Sequence, residues 1–461
     1  MKNILVLIAT LLALSGCSLT PHYDRPEFPV ADAWPTAVQE EKDASLPAWE
    51  TFYSDPQLRQ VITQALKNNR DLKVALLTME RTRALYRIEA AAALPQVDAG
   101  ASASLQRVPA DLSGVGGAIT SRRYGLSVGV TTFELDFFGR VKNLKEEALQ
   151  SYLATSEAQR SVRLSLVADV ASSYLALAAA RETLGLSAAT LTRSEASLTL
   201  VRRRFEAGVV SLFELEQNRS QVAAARIAVA AAERQAAAAL QALQLLVSAP
   251  LPEELLPQAL AADDALLVPA LSELPSSVLL GRPDIVGAEH QLMAATAHIG
   301  AARAAFFPSI TLTGALGTAS SELSGLFKGG AGVWSFAPQV SLPIFDAGRN
   351  RANLEVAKKN QEIAIAQYEA AIQNGFREVA DALSGLVALD AQFAAQQELL
   401  EASRSRRDIA LLRYEQGVDS QLTLLAAERE LLSAESTLVD LRRQRLAARV
   451  TLYKVIGGGA F

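Results

Sequence analysis

Cysteine and histidine are scarce in this sequence, and both shortages narrow what the protein can be. The only cysteine is Cys17, which excludes a disulfide framework and a thiolate metal site. Of the three histidines, His290 and His298 are about 12 Å apart along a predicted helix, too far to share one metal ion. We interpret His22, His290 and His298 as surface or packing residues.

Long stretches of the chain also lack proline. The 461 residues include 17 prolines, but none occurs between positions 110 and 249 or after position 343. Because proline breaks helix interiors, these windows predict helices far longer than the globular average. From Arg140 to about Glu206 the apolar residues recur at three- and four-residue steps, as in a coiled-coil seam, and such a helix spans roughly 100 Å. The seam contains Leu164, Val167, Val170, Ala171, Tyr174, Leu175 and Ala178.

Charge and motifs give no sign of nucleic acid binding or catalysis. The net charge is −5, and the arginine clusters at 202–204, 404–407 and 442–445 are typical of solvated helix faces. There is no GxxxxGK phosphate loop, and the glycine-rich run at 114–117 lies in a polar turn. We therefore expect no enzyme, no metal site and no nucleic acid partner.

The proline-free windows are copies of each other. A shift of 209 positions aligns Gly139–Arg140 with Gly348–Arg349, and the alignment continues without a gap for about a hundred residues. Each predicted helix breaks near a glycine, Gly208 in the first copy and Gly417 in the second, since glycine accepts the left-handed conformation after a helix end. Each copy is therefore predicted to be a helical hairpin with the turn at its tip.

The residues after Gly208 allow two interpretations. Ser211 followed by Glu214 is the pattern of a capping box, in which the two side chains satisfy the first turn of the next helix. In that interpretation Glu214 has only a structural role. A functional role at the tip is the alternative.

The N-terminus has the composition of a secretory signal. Lys2 is followed by a short apolar run from Ile4 to Leu14, which is too short to cross a bilayer. We expect a signal peptide over 1–16 and a proline-rich extended arm over 17–54. Leu14–Cys17 resembles the lipobox of bacterial lipoproteins, which implies removal of the peptide before Cys17 and lipid chains on that cysteine. An ordinary signal peptide with a chance cysteine at position 17 is the alternative.

Two segments per chain alternate between apolar and small polar residues with a period of two. We predict β-hairpins over 97–133 and 309–344, of the length and two-faced character of transmembrane β-strands. A soluble sheet packed on helices is the alternative. Four strands cannot close a barrel, and open edges are not tolerated in lipid, so strands in a membrane would require several subunits.

These elements define the predicted organisation. The first repeat covers 55–248, with a helix, the hairpin 97–133 and the helical hairpin 139–248. A linker of short elements covers 249–282. The second repeat covers 283–457, with its hairpin at 309–344 and its helical hairpin at 348–457, and 458–461 form a C-terminal tail.

In combination, the motifs resemble the outer membrane factor family of the TolC/OprM type, in its NodT-like lipoprotein branch. The resemblance covers essentially the whole chain after the signal peptide. The motifs that carry it are Leu14–Cys17, Trp49 with Phe52, Asp55–Pro56 and Leu58, Asn69–Leu72, Phe133–Arg140, Arg282–Ile285 with Glu289, Phe307–Ile310, Phe345–Arg349, and Tyr414 with Gly417–Asp419.

The resemblance implies a mainly α-helical fold with a transmembrane β-barrel. Three subunits would form one twelve-stranded β-barrel and a periplasmic α-barrel. It also implies cleavage before Cys17, covalent lipid on Cys17 as the only non-protein group, and location in the outer membrane and its lipid. The implied partners are a periplasmic adaptor and a resistance-nodulation-division transporter of the inner membrane.

The same resemblance places a periplasmic gate at the helical tips of an efflux exit channel. The implied gate residues are Glu214, Tyr414, Asp419, Leu422, Thr423 and Arg429. This chain departs from the family at Ala426, where relatives carry an aspartate. Tyr414 and Asp419 are alternatively cap or packing residues. A protein secretion duct and an envelope-spanning scaffold without a pore remain alternative functions.

Overall fold

The computed structural model describes residues 19–31, 34, 47–114, 116–260 and 275–459. The predicted signal peptide, Cys17 and the middle of the predicted linker lie outside the described residues. The helices are α1 (Trp49–Phe52), α2 (Pro56–Asn68), α3 (Arg70–Ala91), α4 (Arg140–Glu206), α5 (Leu212–Val247), α6 (Pro283–Ala304), α7 (Arg349–Glu415) and α8 (Gln421–Ile456). The strands are β1 (Val97–Val108), β2 (Ile119–Leu135), β3 (Ser309–Ser320) and β4 (Gly332–Ser341), and short 3-10 turns occur at Glu253–Leu255, Ser276–Gly281 and Leu323–Gly325.

The two copies have helices of equal length. Helices α4 and α7 each have 67 residues, and α5 and α8 each have 36. Helices α3 and α6, which precede the strands, each have 22. We call α4 with α5 the first helical hairpin and α7 with α8 the second. The tandem repeat predicted from the sequence is therefore present in the backbone.

Local capping defines where the first helices begin and end. The Asp55 side chain accepts from the backbone N–H groups of Gln57 and Leu58, and Pro56 occupies the first helical position, where no N–H is needed. Asn69 separates α2 from α3. Its Oδ1 accepts from Leu72 N at 2.9 Å, and its Nδ2 donates to the Leu246 carbonyl at 2.8 Å. The helical segment at the start of the first repeat is therefore interrupted at Asn69, and α3 ends at Ala91.

The four strands form one antiparallel sheet in the order β1-β2-β3-β4. Its register places like residues on the same face, as in the row Ala99, Val128, Leu316 and Trp334. The adjacent row, Gly100, Ser127, Gly317 and Val333, lies on the opposite face and is mainly small or polar. The second strand reaches Leu135 instead of residue 133, and the fourth ends at Ser341 instead of residue 344.

Two irregularities of the sheet have simple causes. The pairing of β2 with β3 shifts between Val130 and Phe133, where a bulge occurs. Pro338 lies within β4 opposite Leu312, and β4 is an edge strand of this sheet, where a missing N–H donor is tolerated.

The chain divides into two compact units. One contains the described residues up to Glu27 together with Thr78–Ser156 and Gly287–Glu369, and it includes the sheet. The other contains Phe28–Leu77, Glu157–Val286 and the described residues from Ala370 onward. The core of this second unit includes a stacked aromatic pair, Phe52 and Tyr453, with ring centroids 4.1 Å apart.

Among the described residues, one helix is long and apolar enough by composition to cross a membrane. It is α4, but 61% of its most apolar stretch is buried within the chain. A core helix passes the same test, so we interpret α4 as packed inside the protein.

Candidate functional site

The two helical tips have the same backbone. Gly208 and Gly417 both adopt φ of 72°, the left-handed conformation that disfavours a side chain. Gly208 N donates to the Phe205 carbonyl, and the next N–H reaches back to Arg204 at 2.9 Å. The second tip repeats both bonds from Gly417 to Tyr414 and from Val418 to Arg413. These are Schellman turns, and both predicted tip turns are observed.

The capping box predicted after the first tip is only half formed. Ser211 Oγ accepts from Glu214 N at 3.3 Å, which caps α5. The Glu214 carboxylate lies instead 3.5 Å from the Tyr414 hydroxyl, at the limit of a hydrogen bond. Ser420, the equivalent of Ser211, makes no side-chain cap bond. Glu214 therefore contacts the other hairpin.

Tyr414 is the centre of a link between the hairpins. Arg204 Nη1 of the first hairpin donates to the Tyr414 hydroxyl at 3.3 Å, and Glu214 lies on the other side of that hydroxyl. Burial raises the pKa of Tyr414, and the Glu214 carboxylate raises it further. Tyr414 thus stays a neutral donor that can bridge a cation and an anion.

A second link lies one turn deeper and is buried. Gln421 Nε2 donates to Asn218 Oδ1 at 2.9 Å, and Ser197 Oγ donates to the same oxygen at 3.1 Å. Asn218 Nδ2 donates to the Glu214 carbonyl at 2.9 Å. Asn218 is 2% exposed and Gln421 is 6% exposed. In such a setting each amide group needs its partner, because a lost bond leaves a buried polar atom unsatisfied.

Asp419 is engaged within its own turn. Its carboxylate accepts from Arg413 Nε at 2.6 Å and from Arg413 Nη2 at 3.0 Å, which is bidentate pairing. The hydrogen bond from Arg413 lowers the pKa of Asp419, and the same bond raises the pKa of Arg413. Asp419 therefore stays ionised, and Arg413 offsets most of its charge.

The other predicted gate residues share an exposed side of α8. Leu422 is 61% exposed, and Thr423, Ala426 and Arg429 are also exposed in the isolated chain. Leu422, Ala426 and Arg429 recur at steps of four and three, so they lie on one face. The structure thus groups Leu422, Thr423 and Arg429 on α8, separately from the links that Glu214 and Tyr414 make.

Sequence reasoning missed four residues at the tips. Arg204, Asn218, Arg413 and Gln421 were not among the predicted site residues, yet they make the bonds described above. The repeat offers a signal for two of them, because Arg204 and Arg413 are equivalent under the 209-residue shift. It offers none for Asn218, whose equivalent is Ala427.

A cavity of about 210 Å³ lies among α4, α5, α7 and α8. Arg193, Gln221, Arg407 and Glu428 contribute polar groups to it. Burial raises the pKa of Glu428, opposed mainly by the charge of Arg193. Gln221 Oε1 and Arg407 Nε have no hydrogen-bond partner within the described part of the chain.

His290 and His298 pair with neighbouring side chains of α4. His298 Nδ1 lies 2.8 Å from Glu147, which raises the pKa of His298 through that hydrogen bond, and His290 Nδ1 lies 2.7 Å from Gln150. Over the residues that can be described, no group of three acidic, histidine or cysteine side chains is arranged to hold a metal ion.

Known proteins resemble this chain over nearly its whole length. A model of the outer membrane efflux protein family matches residues 61–249 and 274–458. The toluene efflux pump outer membrane protein TtgF of Pseudomonas putida is 44% identical over 472 residues, which covers 100% of this chain and 97% of TtgF. OprJ of Pseudomonas aeruginosa is 42% identical over 450 residues, covering 97% of this chain and 94% of OprJ.

A solved structure agrees with these sequences. The open state of the Neisseria gonorrhoeae outer membrane channel MtrE matches with a TM-score of 0.87 and 38% identity, covering 96% of this chain and 98% of MtrE. The predicted fold of tandem strand hairpins and long helices is confirmed by this likeness, and the family is one of channels rather than enzymes. The chain belongs to the outer membrane efflux protein family and is an efflux channel of the outer membrane.

Proposed function

We propose that three copies of this chain form one passive exit duct. The support comes from the sheet, whose four strands leave β1 and β4 as edges. Open edges are not tolerated in lipid, and closed barrels need about eight strands or more. Two copies would supply eight strands and three would supply twelve, and three is the number that the resemblance to the outer membrane factor family implies. The small polar row Gly100, Ser127 and Gly317 would line an unselective aqueous passage.

The duct is proposed to complete a tripartite pump. TtgF is named as a toluene efflux pump component, and other relatives are named for antibiotic or solvent efflux. For this chain we propose a periplasmic adaptor at the helical tips and a proton-driven resistance-nodulation-division transporter in the inner membrane. The transporter would select the solute, and the duct would let it leave.

The N-terminus is proposed to carry covalent lipid on Cys17 and no other cofactor. The support is the sequence Leu14–Cys17 after a short apolar run. Mass spectrometry of the purified protein tests this directly. The acyl mass should be present on wild type and absent from Cys17→Ser, and its absence from wild type would reject lipidation.

The gate is proposed to be closed by the links between the helical hairpins. The observation that carries this proposal is the pair of contacts Tyr414–Glu214 and Gln421–Asn218, which join residues of the two copies. Breaking them would let the second hairpin shift between two packings and open the pore. The exposed Leu422, Thr423 and Arg429 would then surround the opening. Because this chain has Ala426 where relatives carry an aspartate, the opening would lack the ring of carboxylates that this aspartate would form in three subunits.

Single-channel conductance in planar bilayers tests this function. Wild type should form pores of low open probability, and Glu214→Ala and Leu422→Ala should each raise it. Glu216→Ala is the matched control, because the partner of Glu216 among the described residues is Arg219 of the same helix, α5. A protein that forms no pores would be a scaffold, and pores that pass unfolded polypeptide would favour the secretion duct.

A further inference from the structure

Two arginines lie on one face of the β1–β2 hairpin, close to the end where β1 connects to β2. Arg122 is opposite Leu105, and two positions further along β1 Arg107 is opposite Thr120. The Cα atoms of such diagonal neighbours are about 7–8 Å apart. Arginine side chains are long enough to close that gap, so both guanidinium groups can reach one ligand. We call Arg107 and Arg122 the arginine pair.

The face that holds the arginine pair is the one that meets lipid in the proposed duct. Side chains alternate along a strand, so Arg122 shares its face with Leu126 and Val128. Arg123 lies on the opposite face with Ser127, which would line the aqueous passage. Arg122 and Arg123 are adjacent in the chain but therefore face different surroundings.

The same face places Arg122 at the boundary of the apolar part of the membrane. Phe133 pairs with Leu312, which shares a face with Leu316, so Phe133 and Tyr124 mark the two ends of the lipid face as aromatic girdles do. From Phe133 to Arg122 the strand makes about ten regular steps, since the bulge adds one residue, and ten steps span about 33 Å. At a strand tilt of about 40°, this crosses about 25 Å, the height of the apolar band in such barrels.

The connection between β1 and β2 faces the cell exterior in the proposed duct. Strand β1 follows α3 and β2 precedes α4, so the helices join the sheet at the end that contains Val97 and Leu135. The proposed duct places the long helices in the periplasm. Arg107 and Arg122 lie near the opposite end of the strands, and the arginine pair is therefore at the depth of the headgroups of the outer leaflet.

The charges of the arginine pair are available to a ligand. Both side chains are exposed, and neither has a carboxylate partner among the residues that the structure describes. Asp111 and Glu322 lie beyond the strand ends, and Glu322 accepts instead from Ser324 Oγ at 3.3 Å. Guanidinium groups bind phosphate oxygens through several N–H donors at once, and basic residues at a membrane boundary attract anionic headgroups. The arginine pair is thus suited to a lipid phosphate.

The second hairpin has no equivalent of the arginine pair. The lipid face of β3 and β4 ends at Ser320, and at Gly332 opposite Thr318. Lys328 lies in the connection between the strands and not on that face. A general requirement for positive charge at the membrane boundary would place basic residues on both hairpins. The position of the pair on one hairpin therefore indicates one defined site per chain.

We infer that Arg107 and Arg122 bind the phosphate of an acylated, phosphorylated saccharide lipid of the lipid A class. Such lipids form the outer leaflet of the outer membrane, whereas phospholipids occupy its inner leaflet. The inference rests on the proposed duct, whose lumen determines which face meets lipid. The acyl chains would lie along Val128 and Leu316, and the phosphate would stay beside the two guanidinium groups. The bound lipid would hold the hairpin at a fixed height in the membrane.

The adjacent arginines of β2 provide a matched comparison. Purified full-length protein in detergent is titrated with bisphosphorylated lipid A, and the bound lipid is counted by native mass spectrometry. Arg122→Gln should lower the affinity several-fold, and Arg107→Gln combined with Arg122→Gln should lower it by about tenfold or more. Arg123→Gln removes the same charge from the lumen face and should bind as wild type does. Pore formation in planar bilayers confirms that each variant is folded and inserted.

Three other probes separate the possible sources of phosphate. Lipid A without phosphates, phosphatidylglycerol and inorganic phosphate should each bind wild type more weakly than bisphosphorylated lipid A does. If any of them binds equally well, the assignment to a phosphorylated saccharide lipid is overturned. Unchanged binding in the double variant, or an equal loss in Arg123→Gln, would overturn the site itself. A wild type without pores would reject the proposed duct, whereas a pore-forming wild type that binds no lipid A would reject only the lipid site.

Discussion

The first and second helical hairpins have the same backbone lengths but differ in how their two helices are joined. In the first, Arg226 of α5 pairs with Glu195 of α4. In the second, Arg406 pairs with Glu430 and Arg445 pairs with Asp390 across α7 and α8, and Arg413 with Asp419 joins the turn. The ion pairs of the second hairpin lie between its tip and the Asp390–Arg445 pair, so we expect these portions of α7 and α8 to move together.

The turns that determine the fold are shared by the two hairpins, whereas the polar side chains proposed to form the gate are not. Gly208 and Gly417 make the same turn because both tips need the left-handed conformation. Tyr414 replaces Phe205, and Asp419 replaces Val210, at equivalent positions of the second tip. The link through Tyr414 therefore arises where the two repeats have diverged, as the proposed gate between them requires.

The largest expected effect concerns β2 and β3, where a strand of the first repeat pairs with a strand of the second. A Cβ at Gly129 would overlap the Gly314 carbonyl, and one at Gly317 would overlap the Leu126 carbonyl. Gly129→Ala and Gly317→Ala should each prevent assembly of detergent-resistant trimers in the outer membrane, as measured by electrophoresis of membrane fractions. Gly100→Ala is the control, because no atom lies within 4 Å of its added Cβ. Normal trimers in both test variants would contradict the observed register.

A smaller but still large effect is expected from the buried link at the tips. Asn218→Ala removes the acceptor of Gln421 and leaves its buried amide unsatisfied, which costs about 1–3 kcal/mol in the closed packing. Open probability in planar bilayers should rise between about fivefold and about a hundredfold, since 1.4 kcal/mol is a factor of ten. Gln396→Ala is the matched control, because Gln396 bonds to the Ala434 carbonyl within the second hairpin. If the control opens the pore as much, the link between hairpins is not the gate.

Substitution of the two equivalent arginines at the tips should change the open probability by smaller amounts, which differ between the two positions. Arg204 reaches Tyr414 of the other hairpin, whereas Arg413 pairs with Asp419 in its own turn. Arg204→Gln should therefore raise open probability several-fold, and Arg413→Gln should change it less, since its pair with Asp419 does not join the two hairpins. The comparison is made by single-channel recording at low and high salt. Equal effects would mean that the two tips act alike.

The smallest expected effect is a pH dependence of the thermal stability of the unit that contains the sheet. Glu147 raises the pKa of His298 above its ordinary value of 6.5, so the pairing stabilises the fold fully below 6.5. That contribution is lost as pH rises through the higher folded-state pKa. Thermal unfolding from about pH 5.5 to about pH 8.5 should show this loss in wild type but not in His298→Gln. His290→Gln is the control, because its partner Gln150 is neutral, and an unchanged profile in His298→Gln would reject the coupling.

Much of the fold could be predicted because it follows from local patterns. The absence of proline and the glycines at 208 and 417 set the long helices and their turns, and alternation set the strands. The strand ends were less accurate, since β2 continues past a bulge and β4 stops before Pro343. These ends depend on pairing with other strands rather than on the segment itself.

The side-chain links could not be predicted, because they join residues far apart in the chain. Gln421 and Asn218 are 203 positions apart, and Arg25 and Glu289 are 264 apart. No local pattern specifies such pairs. Glu214 shows the same limit: its spacing from Ser211 suggested a capping box, but Tyr414 from the other copy lies beside its carboxylate.

The equal helix lengths constrain how this protein can evolve. One residue inserted into α4 would rotate everything beyond it by about 100° and advance it by about 1.5 Å. Arg204 and Asn218 would then face away from Tyr414 and Gln421. Insertions or deletions should therefore survive only as compensating changes in both hairpins, so the descendants of this duplication are expected to lengthen or shorten in step.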